Sequence, residues 1–291
     1  MRRWFAALSL LGSLSLHAQS PVWALHGVHN TVYVAESVHL LKPDQSALPP
    51  AFDRAYADAS TLVMEMDLSR IDATQLQMWM LQHGTLQDGV TLQQALGAQL
   101  YARIAAQAPG FGMPLDALQQ LKPWVIALML TDLQYVRLGF DPQAGVEKQL
   151  MQRATRDGKQ IAGLESIDEE LGQLDALPPQ AQARFLELTL EDLKDAEHDT
   201  DELLYAWRSG DTQRLAALLS EEYKAFPELY RALVTERNER WLPQLQAFLK
   251  ADHNYFVVVG ALHVVGTGGL LDLARRAGIV VTPLRVAVPR G

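Results

Sequence analysis

Two stretches decide the fold: Tyr255–Val265, YFVVVGALHVV, and Thr31–Leu41, TVYVAESVHLL. In each, a β-branched or aromatic run leads into a short turn and then a histidine. A strand of this kind followed by a helix sets the histidine at the strand's C-terminal edge. That is where open α/β sheets place their ligand sites. Two chain ends carrying the same local device are expected to meet in one site. His39 and His263 are therefore the first candidate site residues, and a metal or hydrolytic centre is the first chemistry to consider.

Working outward, Val22–Gly27 and Thr31–Ala35 read as a hairpin with His29 and Asn30 near its turn. Pro50 opens a helix through AFDRAYADAS, since proline is tolerated in a first turn. TLVMEMDLS is a strand ending in Glu65 and Asp67, and the β-loop-α-β order predicts a parallel pair with a crossover helix. Apolar residues at i, i+3, i+4 mark helices at Ile71–Gln82, Leu92–Gln107 and Pro123–Arg137. A helix at Val146–Arg156 stops at Asp157-Gly158, and a strand at Gln160–Leu164 delivers Glu165. Residues 167–250 are again helical, broken at Pro178-Pro179, Gly210 and Pro227. The last unit is strand Tyr255–Val259, helix Leu270–Arg276 with Gly278 at its end, and strand Ile279–Leu284. The expected fold class is α/β, a mixed sheet with helical insertions at about 71–137 and 167–250 that cover the strand ends and form a cleft.

Residues 1–20, MRRWFAALSLLGSLSLHAQS, combine a basic start, a short apolar run and small residues before a cut. This is the pattern of a cleaved signal peptide, leaving a domain at 21–291 that is periplasmic or secreted. Losing Arg2 and Arg3 and no acidic residue would take the formal charge from -9 to -11. The balance is acidic and no Lys/Arg-rich run is present, which argues against nucleic acid as a partner. No later apolar stretch free of charges reaches bilayer length. The chain has no cysteine, so neither a thiolate nucleophile nor a thiolate ligand is available.

His39, His263, Glu65 and Glu165 supply imidazole and carboxylate donors suited to a divalent ion with a position left for water. Such a hard N/O set favours Mn, Co or Zn over copper(I). No HExxH or comparably compact motif is present. Each candidate has a plain structural reading beside the functional one. Glu165 either ligates metal or caps the helix after Ser166. Asp67 either orients a histidine or caps a helix. Arg237 either clamps or stabilises a substrate oxygen, or pairs with Glu236 or Glu239 on an exposed face. Asn238 either orients Arg237 or donates to substrate, or is surface. His26 and His29 read as turn residues, His83, His198 and His253 as surface, and Trp79, Trp124, Trp207 and Trp241 as core.

Several segments together resemble the TraB/GumN (TraB/PrgY/GumN) family, which is related to the Tiki metalloproteases. They are VYVAESVHLL, LPPAFDRAYADASTLVMEMDLS, KPWVIALML, GFDPQAGVEKQL, GKQIAGLES, YAWRSGD, TERNERW and VGALHVVGTGGLLDLARRAGIVVTPL, in that order along nearly the whole chain. The family carries two GxxH motifs, acidic residues after an early and a middle strand, and an Arg-Asn pair on a late helix. Gly260–His263 matches the second GxxH in full, Glu65 and Glu165 match the acidic residues, and Arg237-Asn238 matches the pair. GVE at Gly145–Glu147 stands where the family often has GVD. The first GxxH departs from the pattern, with Glu36 where glycine is expected before His39.

The resemblance implies a Tiki/TraB-like mixed sheet of two related halves and metal-dependent hydrolysis, with peptide cleavage in the Tiki branch. It implies metal at His39, His263, Glu65 and Glu165, with Glu65 and Glu165 as ligand or general base and Arg237 and Asn238 stabilising the transition state or placing substrate. The substrate would be a peptide or a small molecule with an ester or amide bond. Glu36 would stand beside this site as an extra ligand, a neighbour that shifts pKa values, or the mark of a decayed centre. The alternative function is an inactive periplasmic binding or interaction protein of the same fold. The oligomeric state is not legible.

Overall fold

The computed structural model describes residues 20–67, 69–221 and 226–286; residues 1–19, most of the signal-peptide reading, lie outside the described residues. Six strands form one sheet: β1 (Val22–His26), β2 (Thr31–Ser37), β3 (Thr61–Met64), β4 (Gln160–Gly163), β5 (Tyr255–Gly260) and β6 (Val280–Pro283). Their order is β4-β3-β5-β2-β1-β6. β1 and β2 make the expected hairpin, with His26 opposite Thr31. β4, β3, β5 and β2 run parallel, while β1 is antiparallel to both β2 and β6. The sheet is therefore mixed, as expected.

Two expected neighbours are separated. β2 and β3 are parallel but do not pair, because β5 lies between them. β5 and β6 likewise do not pair, since β6 crosses to the far edge beside β1. The reason is burial. Phe256–Gly260 are all buried, and a strand covered on both faces belongs in the middle of a sheet.

The helices used below are α1 (Pro50–Asp58), α2 (Ala73–His83), α3 (Leu92–Gln107), α4 (Pro123–Arg137), α5 (Val146–Asp157), α6 (Ile167–Glu170), α7 (Pro179–Asp192), α8 (Ala196–Ser209), α9 (Thr212–Glu221), α10 (Glu236–Phe248), α11 (Ala261–Val264) and α12 (Leu270–Arg276). One sheet face packs Leu62, Met64 and Phe256 against Phe52 of α1, Leu150 of α5 and Trp207 of α8. The other packs Val32, Val34, Val257 and Val259 against Trp241 and Leu245 of α10 and Leu271 of α12. Leu96, Leu100, Leu130, Leu186 and Leu190 of α3, α4 and α7 build a separate helical core. The helices of 167–250 therefore do not act as one cover: α7 joins α3 and α4, α8 joins one sheet face and α10 the other. Among the described residues no helix is long and apolar enough to cross a membrane.

Candidate active site

Four adjacent parallel strands end on one edge, and each hands a polar side chain to it. His39 follows β2, Glu65 follows β3, Glu165 follows β4, and His263 lies on α11 directly after β5. Gly260 is their meeting point. A Cβ there would sit 3.2 Å from Glu65 Oε1, 3.4 Å from His39 Nε2 and 3.8 Å from His263 Cδ2. The missing side chain leaves room for the three groups, and the Gly260 N–H donates to Glu65 Oε1 at 2.7 Å.

Arg237 enters from α10, just past a π-helical turn at Arg231–Thr235. It is buried rather than on an exposed face, and Glu236 pairs with Arg231 instead. Its Nη2 donates to Glu65 Oε2 at 2.5 Å and to Glu165 Oε1, and lies 3.9 Å from Glu170 Oε2. Its Nη1 donates to His263 Nε2 at 3.1 Å. Asn238 is fully buried and turned away from the cleft. Its Nδ2 donates to the carbonyls of His263 and Gly268, so its Oδ1 accepts the His263 Nδ1–H at 2.8 Å. That bond sets the tautomer and directs the Nε2 lone pair of His263 toward Arg237.

His39 is held differently. Its Nδ1 lies 3.0 Å from Glu147 Oε1, and Ser37 Oγ donates to the same oxygen. Gly145 allows this approach, since a Cβ there would lie 1.9 Å from the His39 carbonyl oxygen. The GVE segment thus supplies both the close approach and the carboxylate.

The two imidazoles have opposite electrostatics. The Glu147 carboxylate raises His39, whose side chain stands exposed at the cleft mouth, above its ordinary value. Burial lowers His263 to about 4, helped by Arg237, so it is neutral at pH 7. Burial opposes the charge on Glu65, but His263, Arg237, His39 and the Gly260 N–H outweigh it and hold the carboxyl low. Burial raises Glu165 even with Arg237 beside it. Burial and the nearby Glu65 push Glu170 up to about 7.

A cleft of about 290 Å³ opens onto this edge, lined among others by His39, Glu65, Glu147, Lys148 and Glu170. Glu65, Glu165 and Glu170 each offer an oxygen within 4.8 Å of the others. Three carboxylates face one guanidinium, and among the described residues Glu170 Oε2 is buried with no hydrogen-bond donor. An acidic excess with an unpaired oxygen, beside imidazoles held from behind at Nδ1, fits a divalent cation.

The profile of the TraB/PrgY/gumN family matches residues 21–283. The chain belongs to this family. It is 26% identical over 239 residues to the uncharacterized protein YbaP of Escherichia coli (strain K12), covering 82% of this chain and 86% of YbaP. The YbaP of Shigella flexneri matches to the same extent. It is 24% identical to metalloprotease TIKI2 of Danio rerio, covering 80% of this chain but 54% of that protein. No solved structure matches the chain.

Seen as a member of the TraB/PrgY/gumN family, the chain keeps its expected site residues together: His39, His263, Glu65, Glu165, Arg237 and Asn238 all converge on the strand ends. Glu36 does not join them. In the ladder it is Ser37, not Glu36, that stands opposite Gly260. Successive strand side chains point to opposite faces. Glu36 therefore faces Trp23 and Thr212, on the far side of β2 from the Ser37–Glu147 pair. It adds neither bulk nor charge to the cleft. Asp67 also stays out, capping Ser69 N and pairing with Arg70. Ser166, not Glu165, caps α6 through a reciprocal bond with Glu169.

Three partners were missed from sequence. Glu147 and Glu170 lie on helices whose faces a linear reading does not orient, although the GVE match pointed near the first. Trp241 reads as core and is fully buried, yet its Nε1–H donates to Glu165 Oε2 at 3.2 Å and its ring lies 4.5 Å from that of His263. His83, read as surface, is half-buried, stacking on Trp79 and pairing with Asp175.

Proposed function

We propose that this protein is a metal-dependent hydrolase acting on peptide bonds or on small esters and amides. The observation that carries the reading is the convergence, on four adjacent strand ends, of two imidazoles and three carboxylates with an uncancelled negative charge. The likeness to a protein named a metalloprotease adds weight. His39, His263, Glu65 and Glu165 form the expected donor set. When bound, the cation would supply Lewis-acid polarisation of a scissile carbonyl. Zinc, manganese and cobalt all suit the donors.

The chain's own residues do the rest. Glu147 holds His39 at Nδ1 and so aims Nε2 at the cleft. Asn238 fixes His263, a positioning role rather than contact with substrate. Arg237 bridges Glu65 and Glu165, offsets part of their charge and holds them in place. The acidic cleft and the net charge of -9 disfavour phosphate-backbone ligands. Export to the periplasm or beyond follows from the composition of residues 1–20 and is part of the same proposal.

A second reading, an inactive binding protein, is favoured by one observation: Arg237 already supplies a cation to the carboxylate cluster. Elemental analysis after loading with Mn, Co and Zn separates the two, with a His39→Ala/Glu65→Gln variant beside the parent and both screened on a peptide library. Near-stoichiometric metal and cleavage in the parent, both lost in the variant, are expected. A folded parent that takes up no metal and cleaves nothing refutes the hydrolase.

A further inference from the structure

The expected donor set has four members, but they do not stand equally toward solvent. We infer that Glu170 completes the cation site with His39 and Glu65, and that Arg237 keeps His263 and Glu165 out of it as a built-in counter-ion. This deepens the hydrolase reading and rests on it. No family motif matched in the sequence falls on Glu170.

Access comes first. The cleft is lined by His39, Glu65 and Glu170, and neither His263 nor Glu165 reaches its wall. The Glu165 side chain is 2% exposed, against 24% for Glu170. Saturation comes second. Glu165 accepts from Arg237 at one oxygen and from Trp241 at the other, with Arg240 a further 3.8 Å away. His263 has both ring nitrogens engaged, Nδ1 by Asn238 and Nε2 by Arg237. Glu170 Oε2, in contrast, is buried and receives no hydrogen bond from the described residues, and Arg237 Nη2 lies 3.9 Å from it. His39 is held at Nδ1 by Glu147, which leaves Nε2 turned toward Glu65 and the Gly260 backbone.

Displacing Arg237 to free His263 would strand a buried guanidinium whose ring-stacked position lies 4.8 Å over Trp241. Removing one partner of a buried charge pair is heavily unfavourable. A cation entering from the cleft instead meets Glu170 and one free imidazole nitrogen without moving Arg237. The Glu170 position is itself well held, because Ser166 and Glu169 cap α6 reciprocally immediately before it.

The test uses Mn²⁺ as the probe on the full mature chain, with calorimetric titration for affinity and pulsed EPR for nitrogen ligands. The expected result is one imidazole nitrogen on the bound Mn²⁺, abolished by His39→Gln. Glu170→Gln should weaken Mn²⁺ on the order of tenfold or more, since even an outer-shell partner costs that much. Glu169→Gln, which removes an equal charge one residue away and keeps the capping side chain, should bind as the parent does. Two imidazole nitrogens in the parent, or a Glu170→Gln variant of unchanged affinity, would overturn the inference while leaving the hydrolase reading intact. A parent that binds no Mn²⁺ would instead remove the hydrolase reading, and this inference with it. The nitrogen count is made on the parent, so it stands even where a variant is unstable.

Discussion

Glu36 makes the chain's stability depend on pH in a way that can be worked from its surroundings. Its side chain is 0% exposed at the end of β2. Oε1 accepts from Trp23 Nε1 at 3.2 Å and lies 3.5 Å from Thr212 Oγ1, while Oε2 has no partner. Among the described residues it has no cationic neighbour, and burial pushes the carboxyl up from 4.5 to about 7. In the unfolded chain the group ionises near its ordinary value; in the folded chain it holds its proton to about 7. Between those values the folded state binds more protons, so stability falls as pH rises, and the loss is complete above the folded value. At about 1.4 kcal/mol per unit, the penalty accumulated between pH 5 and pH 8 is on the order of 2–3 kcal/mol. For a chain of this size that corresponds to roughly 4–12 °C in Tm. The perturbation is Glu36→Gln, which cannot ionise and can still accept from Trp23. The assay is urea unfolding of both proteins at several pH values, reading the variant-minus-parent difference so that Glu170 and other titrating groups cancel. The variant should gain on the parent by that amount as pH climbs from 5 to 8. A difference that stays flat across the range would refute the argument, and would mean that water or a cation reaches Oε2.

Three further outcomes follow from particular contacts. Gly145→Ala places a Cβ 1.9 Å from the His39 carbonyl oxygen, so the His39 loop must move; about 2 kcal/mol of stability and most metal uptake should be lost, read by thermal melts and elemental analysis. Asn238→Ala leaves the carbonyls of His263 and Gly268 and the His263 Nδ1–H without their partner in a fully buried place, which should cost about 2–4 kcal/mol in chemical denaturation. Glu147→Gln removes the charge that holds His39 protonated. The His39 imidazolium should then titrate lower in NMR spectra, while the neutral His263 resonance stays in place. In the parent this protonation favours the folded state below the ordinary histidine value and the advantage fades as pH rises through the elevated one; Glu147→Gln should flatten most of that slope, leaving the smaller part due to Glu65 and Glu170.

The sequence by itself determined the local elements. Runs such as YFVVV and TLVM are β-branched and aromatic, and they became β5 and β3. Gly158 ends α5 with φ 69°, a left-handed cap that glycine adopts without strain, and Pro50 opens α1. The candidate site was legible to the extent that it lies at strand ends, because a strand followed by a turn fixes where the next side chains emerge. His39, Glu65, Glu165 and His263 were reached that way. Strand order was not legible, since the pattern of one strand does not name its neighbour; only the packed sheet puts β5 between β3 and β2 and so brings His263 beside His39. Nor was the face on which each helical or neighbouring side chain falls. Glu147, Glu170 and Trp241 reach the site because three helices distant in sequence dock their inner faces on the same strand ends, and Glu36 misses it because strand alternation turns it to the opposite side. Local propensity acts over a few residues, whereas His39 is shifted by Glu147, 108 positions away, and His263 by burial and by Arg237, 26 positions away, and only tertiary packing brings these together.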